Sequence, residues 1–230
     1  MNLAIDIVPL TITWWFGILI PFCIGLLIIQ LAIRIPPEKR RLLSISLGII
    51  MISRELWKSW YIFQIEAWEI ETSLPLHLCG LAAILSGLML FKTHQKGFEF
   101  LALIGLPGAI HALLTPQLNH GGELPQVIEY YIGHGGIILV PVYLAVVDGY
   151  RIEKFAWRGV FIYCQLLLIF IGSLNFLLGS NYMFLCSKPI VNSPMIIGSW
   201  PWYILGFEIL GLGHILLFYL IFRRMKPLPY

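Results

Sequence analysis

Seven long runs of apolar residues, separated by short polar segments, occupy most of the chain. A helix needs about 20 apolar residues to cross a bilayer, and each run is close to that length or exceeds it. The runs predict helices at about residues 12–35, 42–63, 74–91, 98–115, 130–148, 156–179 and 202–222. We therefore expect an all-α fold, a polytopic membrane protein that forms a single domain over residues 1–230 as a seven-transmembrane-helix bundle.

The overall composition supports this interpretation. Of the 230 residues, 59% are hydrophobic and only 12% are charged, and the mean hydropathy is +0.85. An ordinary soluble domain is about one quarter charged, so this balance excludes that class. The start of the chain has no basic segment and no small-residue cleavage site, so we expect the first apolar run to be a retained helix and not a signal peptide.

The distribution of Lys and Arg predicts the orientation of the chain. Basic residues concentrate in the cytoplasmic connections of membrane proteins. Here 12 of the 15 fall in the first, third and fifth connections and at the C-terminus: Arg34, Lys39, Arg40, Arg41, Lys92, Lys96, Arg151, Lys154, Arg158, Arg223, Arg224 and Lys226. The N-terminus is therefore expected outside and the C-terminus in the cytoplasm.

Several polar and ionisable residues fall within the predicted helices. Such groups are costly in hydrocarbon unless they pair or line a wet cavity, so they usually mark a site. Threading the helices through the predicted topology brings all of them to the outer half of the bilayer: Arg54, Glu55, His77, His111, His134, Asn175 and Glu208. A cavity open to the outer leaflet explains this distribution most simply.

Each of these residues also has a structural interpretation. Arg54, Glu55 and Glu208 could form an interhelical ion pair that fixes helix packing. Asn175 and His111 could hydrogen-bond a neighbouring helix. His214 falls on a different face of the last helix from Glu208, and we expect it to be structural.

Charge and cysteine content limit the partners. The net charge of +3 is explained by cytoplasmic loops that meet anionic headgroups, and no basic and aromatic face suggests nucleic acid. We therefore expect membrane lipids as partners and no nucleic acid, while the oligomeric state stays open. Cys23 and Cys164 fall within helices and Cys79 and Cys186 near the outer face, so at most one disulfide is expected.

Five ordered motifs carry a resemblance to a known family. They are Leu74–Cys79 (LPLHLC), Gly108–Pro116 (GAIHALLTP), Tyr131–Gly135 (YIGHG), Asn181–Leu185 (NYMFL) and Trp200–Tyr203 (WPWY). Together they resemble the bacterial YwaF-like family of seven-helix membrane proteins. The resemblance covers most of the chain and implies a protein of the bacterial cytoplasmic membrane.

That family is similar, more distantly, to eukaryotic seven-helix proteins that transfer acyl chains between phospholipids with a Cys and a His, and to membrane lipid hydrolases that use a Thr and a His. The resemblance implies that His134 is the catalytic histidine and that Pro75-Leu76-His77 is the second motif. The eukaryotic nucleophile precedes the histidine of that motif, where this chain has Leu76. The nearest thiol, Cys79, would be about 200° around a regular helix from His77.

These observations predict a lipid-modifying enzyme that transfers or hydrolyses acyl groups of phospholipid-like substrates at the outer leaflet. No cofactor is expected. Acyl transfer needs a base, a nucleophile and donors for the oxyanion. The candidate catalytic residues are His134, His77 and Cys79, and the candidate substrate-binding residues are His111, Arg54, Glu55, Asn175, Glu208 and Asn181.

Two other classes of function stay open. His77, His111, His134 and Glu208 could hold zinc and activate water, although no short His-x-x-x-His pair supports this. A transporter or small-ligand receptor is the non-enzymatic alternative. The sequence shows no internal repeat and no matched pair of broken helices, which many transporters have.

Overall fold

A computed structural model of the chain describes residues 5–189, 196 and 198–225. Seven helices follow one another in this part of the chain: α1 Ile12–Arg34, α2 Pro37–Gln64, α3 Leu78–Phe91, α4 Gln95–Leu114, α5 Leu124–Val146, α6 Ala156–Leu178 and α7 Trp202–Arg223. A 3-10 turn covers Tyr182–Phe184. Apart from two strands of two residues each, the regular structure is helical, which confirms the all-α prediction.

Five of the helices, α1, α4, α5, α6 and α7, are long and apolar enough to cross a membrane. Helix α3 is apolar but has only 14 residues, and α2 carries Arg54, Glu55 and Lys58 in its second half. Large apolar side chains on α1 and α6, such as Leu27 and Phe170, are exposed, as expected for helices that contact lipid. The chain is thus a helical membrane protein, and the crossing by α2 and α3 is part of the proposal below.

Helix α3 begins later than the sequence pattern predicts. The apolar run starts at residue 74, but the helix starts at Leu78, with His77 as its N-cap residue. Proline disfavours the helical conformation of the residue before it, and Pro75 imposes this limit on Leu74. The segment from residue 65 to residue 77 is irregular, and His77 is not part of the helix that contains Cys79.

Two helices begin earlier than predicted. Helix α2 begins at Pro37 rather than near residue 42, and α5 begins at Leu124 rather than near residue 130. Both have proline in the first turn, where a missing amide donor costs nothing. The first turns of these helices are polar. They lie outside the apolar runs, and the helix limits were predicted from those runs alone.

The basic connections lie together at one end of the bundle. The Arg41 Nη2 at the start of α2 donates to the carbonyl of Phe91 at the end of α3, at 2.6 Å. The Lys96 Nζ at the start of α4 lies 2.8 Å from Glu153 Oε2 in the connection between α5 and α6. Arg223 at the end of α7 donates to a carbonyl of that same connection. These contacts agree with the single cytoplasmic face that the basic residues predict.

The remaining connections lie at the other end. Strand β1, Ile5–Asp6, pairs antiparallel with strand β2, Gln117–Leu118, which follows α4. The backbone N–H of Leu74, before α3, donates to the hydroxyl of Tyr182, after α6, at 3.0 Å. The segment before α1 and the connections after α2, α4 and α6 therefore form one cap over the bundle.

Helix α4 contains a π-helical turn at Leu101–Gly105, and every residue of this turn is buried. Pro107 follows it. A proline inside a helix has no N–H to donate and clashes with the carbonyl four residues earlier, and a wider π turn relieves that clash. The extra residue rotates the rest of α4 relative to its first part, which sets the direction in which His111 faces.

Candidate functional site

A cavity of about 560 Å³ lies beneath the cap and between helices α2 to α7. Seven of the nine predicted site residues line it: Arg54, Glu55, His77, Cys79, His111, His134 and Glu208. The other two, Asn175 and Asn181, are absent from its wall. The structure thus brings together residues from five helices and one connection that the sequence places up to 154 positions apart.

His134 is held in one tautomer by its own helix. Its Nδ1 atom lies 2.7 Å from the carbonyl oxygen of Tyr130. A carbonyl can only accept a hydrogen bond, so Nδ1 carries the proton. In the neutral ring Nε2 then has a free lone pair and is the basic nitrogen. The Tyr130 and His134 rings lie 4.1 Å apart between centroids, which further fixes the imidazole.

The glycines beside His134 allow other helices to approach α5. A Cβ atom at Gly133 would lie 2.7 Å from Nη1 of Arg54, and one at Gly135 would lie 2.6 Å from Cβ of Pro21 in α1. Gly136 is packed in the same way against Met51 of α2. The glycines of the Gly-His-Gly-Gly sequence therefore let α5 pack closely against α1 and α2 on either side of His134.

His77 is held in the opposite tautomer. Its Nδ1 atom accepts a hydrogen bond from the backbone N–H of Met183, at 3.2 Å, so the neutral ring carries its proton on Nε2. Its ring contacts Tyr182 and Phe184, with centroids 5.5 and 5.0 Å away. The 3-10 turn after α6 thus positions a histidine that precedes α3.

Cys79 lies in the first turn of α3 and is partly buried. Because His77 precedes the helix, the angle of about 200° expected between these residues on a regular helix does not apply. Both side chains line the same cavity. All four cysteines are free, so no disulfide constrains the Cys79 thiol.

Four charged side chains form a cluster in the wall of the cavity. Arg54 pairs with Glu55 at 2.7 Å and also with Glu129, and Lys58 pairs with Glu55. The Arg54, Glu55 and Glu129 side chains are only 10% to 11% exposed. Two positive and two negative charges balance, so the cluster carries no net charge.

Glu129 was not among the predicted site residues. The sequence pattern placed it in an outer loop, because α5 was expected to begin at residue 130. With α5 beginning at Leu124, Glu129 is on the helix, four residues before Gly133, and both contact Arg54. Residues four apart share a helix face, so an earlier helix start would have revealed this partner.

His111 contacts a histidine that we expected to be structural. Its Nε2 lies 2.8 Å from Nε2 of His214 in α7, and His214 Nδ1 lies 2.6 Å from the carbonyl of Leu210. The carbonyl fixes the His214 proton on Nδ1, so in the neutral pair His111 Nε2 is the donor between the rings. His214 also lines the cavity.

Glu208 is not part of the charged cluster. Its carboxylate accepts a hydrogen bond from the side chain of Gln165 in α6. The suggested ion pair between Glu208 and Arg54 is therefore not formed, and the partners of Arg54 are Glu55 and Glu129.

The zinc alternative lacks a ligand set. In the described residues, no group of three His, Cys, Asp or Glu side chains is close enough to hold a metal ion. His111 is paired with His214, and Glu208 is bonded to Gln165. The four residues considered for zinc do not converge on one point.

Asn175 and Asn181 organise the connection after α6. Asn175 is 1% exposed, and its side chain donates to the carbonyl of Tyr182 at 2.9 Å and accepts from the N–H of Tyr182 at 2.8 Å. Asn181 accepts from the N–H groups of Cys186 and Ser187 at 2.9 and 3.0 Å. Both side chains bond to the loop and not to the cavity.

Comparison with known protein families gives a match to the TMEM164 family over residues 7–219. The match covers all seven helices nearly to the end of α7 and agrees with the helical membrane architecture. No curated protein and no solved structure matches the chain. The chain belongs to the TMEM164 family.

Proposed function

We propose that this protein is a lipid-modifying membrane enzyme that transfers or hydrolyses acyl groups of phospholipid-like substrates at the outer leaflet. The observation that carries the proposal is the pair of opposite histidine tautomers on one cavity. His134 offers a basic Nε2, and His77 offers an Nε2–H donor. Acyl chemistry needs both a base and a donor for the developing oxyanion.

In the covalent route, Cys79 is the nucleophile. His134 Nε2 takes the proton from the Cys79 thiol as sulfur attacks the ester carbonyl carbon, and His77 donates to the carbonyl oxygen. The alkoxide then leaves with the proton from His134. Water or an alcohol next gives its proton to His134, attacks the thioester and releases Cys79 as the thiol.

In the direct route, Cys79 is only part of the wall. His134 then accepts the proton of water or of an acceptor alcohol, and that oxygen attacks the substrate ester in one addition and elimination. The leaving alkoxide takes the proton back from His134. Neither route requires a cofactor.

The surroundings of the two histidines suit an amphiphilic substrate. The outer part of the cavity carries the charged cluster, with Lys58 the most exposed member at 29%. The inner part is lined mainly by apolar side chains of α6 and α7. A lipid places its polar headgroup and its chains in these two kinds of environment, with the ester between them.

The outer-leaflet location rests on a seven-crossing topology. All seven helices would cross the membrane, with the basic end of the bundle in the cytoplasm and the cap outside. The motif resemblance further suggests the bacterial cytoplasmic membrane. Membrane lipids would then reach the cavity sideways from the bilayer.

The test is mass-spectrometric lipid analysis of the purified protein in vesicles of mixed phospholipids. We expect acyl-exchanged or lyso-lipid products from the wild type and a loss of about 10²- to 10⁴-fold with His134→Ala. His94→Ala is the matched control, because His94 is exposed at the basic end, outside the cavity. An unchanged rate in His134→Ala, or no product from the wild type with any headgroup, would overturn the proposal.

Cys79→Ala then separates the two routes. Loss of activity with a trapped acyl-enzyme mass in the wild type supports the covalent route, whereas retained activity supports direct transfer. Cys23→Ala is the matched control, since Cys23 is exposed on α1. If the wild type is inactive but binds a small soluble ligand, the receptor or transporter alternative takes precedence.

A further inference from the structure

The inner part of the cavity is the part between α6 and α7 that Phe161, Leu167, Phe207 and Leu210 line. It extends along helix α7. The lining residues of α7 run from Ile204, in its first turns, to Ile215. These eleven steps correspond to about 16 Å at 1.5 Å per residue. The hydrocarbon core of a bilayer is about 30 Å thick, so this wall of the cavity is about half as long as the core is thick.

Apolar side chains and polar side chains that bond to one another form the wall of this inner part. Phe161 and Leu167 of α6 and Phe207 and Leu210 of α7 contribute large apolar side chains. The polar side chains in the same region bond to one another, as the pairs His111 with His214 and Gln165 with Glu208. Polar groups that are already paired do not require a polar ligand, so the space favours an apolar one.

Gly211 provides open space in this wall. It lines the cavity, and a Cβ atom added to it would meet no heavy atom within 4 Å. Gly213, two residues along the same helix, also has nothing within 4 Å, but it is exposed and does not line the cavity. The same substitution at these two glycines would therefore fill the cavity in one case and face the lipid in the other.

We propose that the inner part of the cavity, along α7 past Gly211, holds the acyl chain of the substrate and limits the chain length that the protein accepts. The inference rests on the acyl function proposed above and adds the binding site and class of ligand, one extended aliphatic chain. The carbonyl lies near His134 and His77, and the chain follows α7 towards Ile215. A larger side chain at Gly211 shortens the space for it.

The experiment compares Gly211→Phe and Gly211→Leu with Gly213→Phe and Gly213→Leu. Each variant is offered phosphatidylcholines with short, medium and long saturated chains. One methylene in an apolar pocket changes discrimination by about 10- to 200-fold. We therefore expect the ratio of long-chain to short-chain turnover to fall at least about tenfold in Gly211→Phe, less in Gly211→Leu, and not in the Gly213 variants.

A second readout does not depend on turnover. Native mass spectrometry measures which chains of an equimolar fatty-acid mixture stay bound to each variant after detergent removal. Gly211→Phe is expected to shift the bound population to shorter chains, while Gly213→Phe keeps the wild-type distribution. This shift supports the inference even if the wild type proves catalytically inactive, in which case the acyl function alone fails.

Two results would overturn the inference. One is a folded Gly211→Phe protein whose bound-chain distribution and turnover ratio match those of the wild type. The other is an equal shift in the Gly211 and Gly213 variants, which would show a general effect on α7. If the wild type is active and either result is found, the proposed function stands and only the acyl-chain site along α7 is rejected.

Discussion

The imidazole Nε2 atoms of His111 and His214 lie 2.8 Å apart and join helix α4 to helix α7 at the wall of the cavity. The carbonyl of Leu210 accepts from the other nitrogen of His214, so the two rings form one directed chain of hydrogen bonds. The lipid-facing helix α7 is thereby attached to the buried helix α4.

This arrangement predicts a measurable coupling between the two histidines. Hydrogen bonds between membrane helices contribute about 0.6 kcal/mol on average and up to about 1.7 kcal/mol in double-mutant cycles. We expect a coupling in this range when His111→Ala, His214→Ala and the double variant are unfolded in mixed micelles. Additive losses, with no coupling energy, would contradict the hydrogen bond. A parallel cycle of His94→Ala with His214→Ala should give no coupling.

The charged cluster predicts a strong effect at Arg54. Arg54→Met leaves the mostly buried carboxylate of Glu129 without its partner, while Glu55 keeps its contact with Lys58. Breaking a buried ion pair by removal of one member costs about 3 to 5 kcal/mol. We expect a loss of this size in the free energy of unfolding, measured by denaturant titration in micelles.

The control for Arg54 removes the stranded charge. Arg54→Met combined with Glu129→Gln replaces the carboxylate by a neutral amide of the same shape, so most of the lost stability should return. If the double variant is as unstable as Arg54→Met alone, the loss comes from packing around Arg54 and not from the unpaired carboxylate.

The length and composition of the apolar runs predicted seven helices, and five of these helices are long and apolar enough to cross a membrane. The helix limits were less predictable where proline occurs. Pro75 lies in the irregular start of the third apolar run, before α3, whereas Pro125 lies in the first turn of α5. Proline thus precedes the helix in one case and lies inside its first turn in the other, and tertiary contacts decide between the two.

The sequence predicted which residues line the cavity better than it predicted their hydrogen-bond partners. Ionisable residues in apolar runs stand out, and most of them line the cavity. The pair of His111 with His214 depends on the π turn at Leu101–Gly105, which rotates the end of α4 and has no clear sequence signature beyond Pro107. The buried hydrogen bonds of Asn175 depend on the path of a loop, which helix periodicity does not contain.

His120, in the connection between α4 and α5, predicts a pH dependence of stability. Burial, supported by the nearby Lys58, lowers the pKa of His120, while a backbone hydrogen bond to Thr72 and the charge of Glu69 oppose this. The unfolded chain therefore takes up the proton first as the pH falls. Stability from this group is present above about pH 6.5 and is lost as the pH falls below that value.

His120→Gln isolates this contribution, because it removes the titrating group and keeps a polar side chain. We expect the unfolding free energy of the wild type to fall relative to that of His120→Gln as the pH is lowered from about 7 to about 5. The other titratable groups are the same in both proteins, so their contributions cancel when the two unfolding free energies are subtracted. Parallel pH profiles for the two proteins would show that His120 keeps its ordinary pKa.

The topology predicts that Cys186 is outside the cell. This thiol is exposed and lies in the cap after α6, at the end opposite the basic connections. A membrane-impermeant maleimide added to intact cells should label the wild type and not Cys186→Ser. In that background, Lys92→Cys marks the basic end and should react only after permeabilisation. The reverse pattern would invert the orientation and place the cavity in the inner leaflet.

Asn175 predicts an effect on activity from a residue outside the cavity. Asn175→Ala leaves the N–H and carbonyl of Tyr182 without their buried partners, at about 1 to 3 kcal/mol for each unsatisfied group. The next residue, Met183, donates to His77, so the loop that fixes the His77 tautomer is weakened. We expect lower thermal stability together with lower turnover. Asn175→Asp keeps the acceptor for the Tyr182 N–H, but it buries an unpaired carboxylate against the Tyr182 carbonyl, so it should lose at least as much stability as Asn175→Ala. If Asn175→Ala loses stability but keeps full turnover at low temperature, the loop does not position His77 for the reaction.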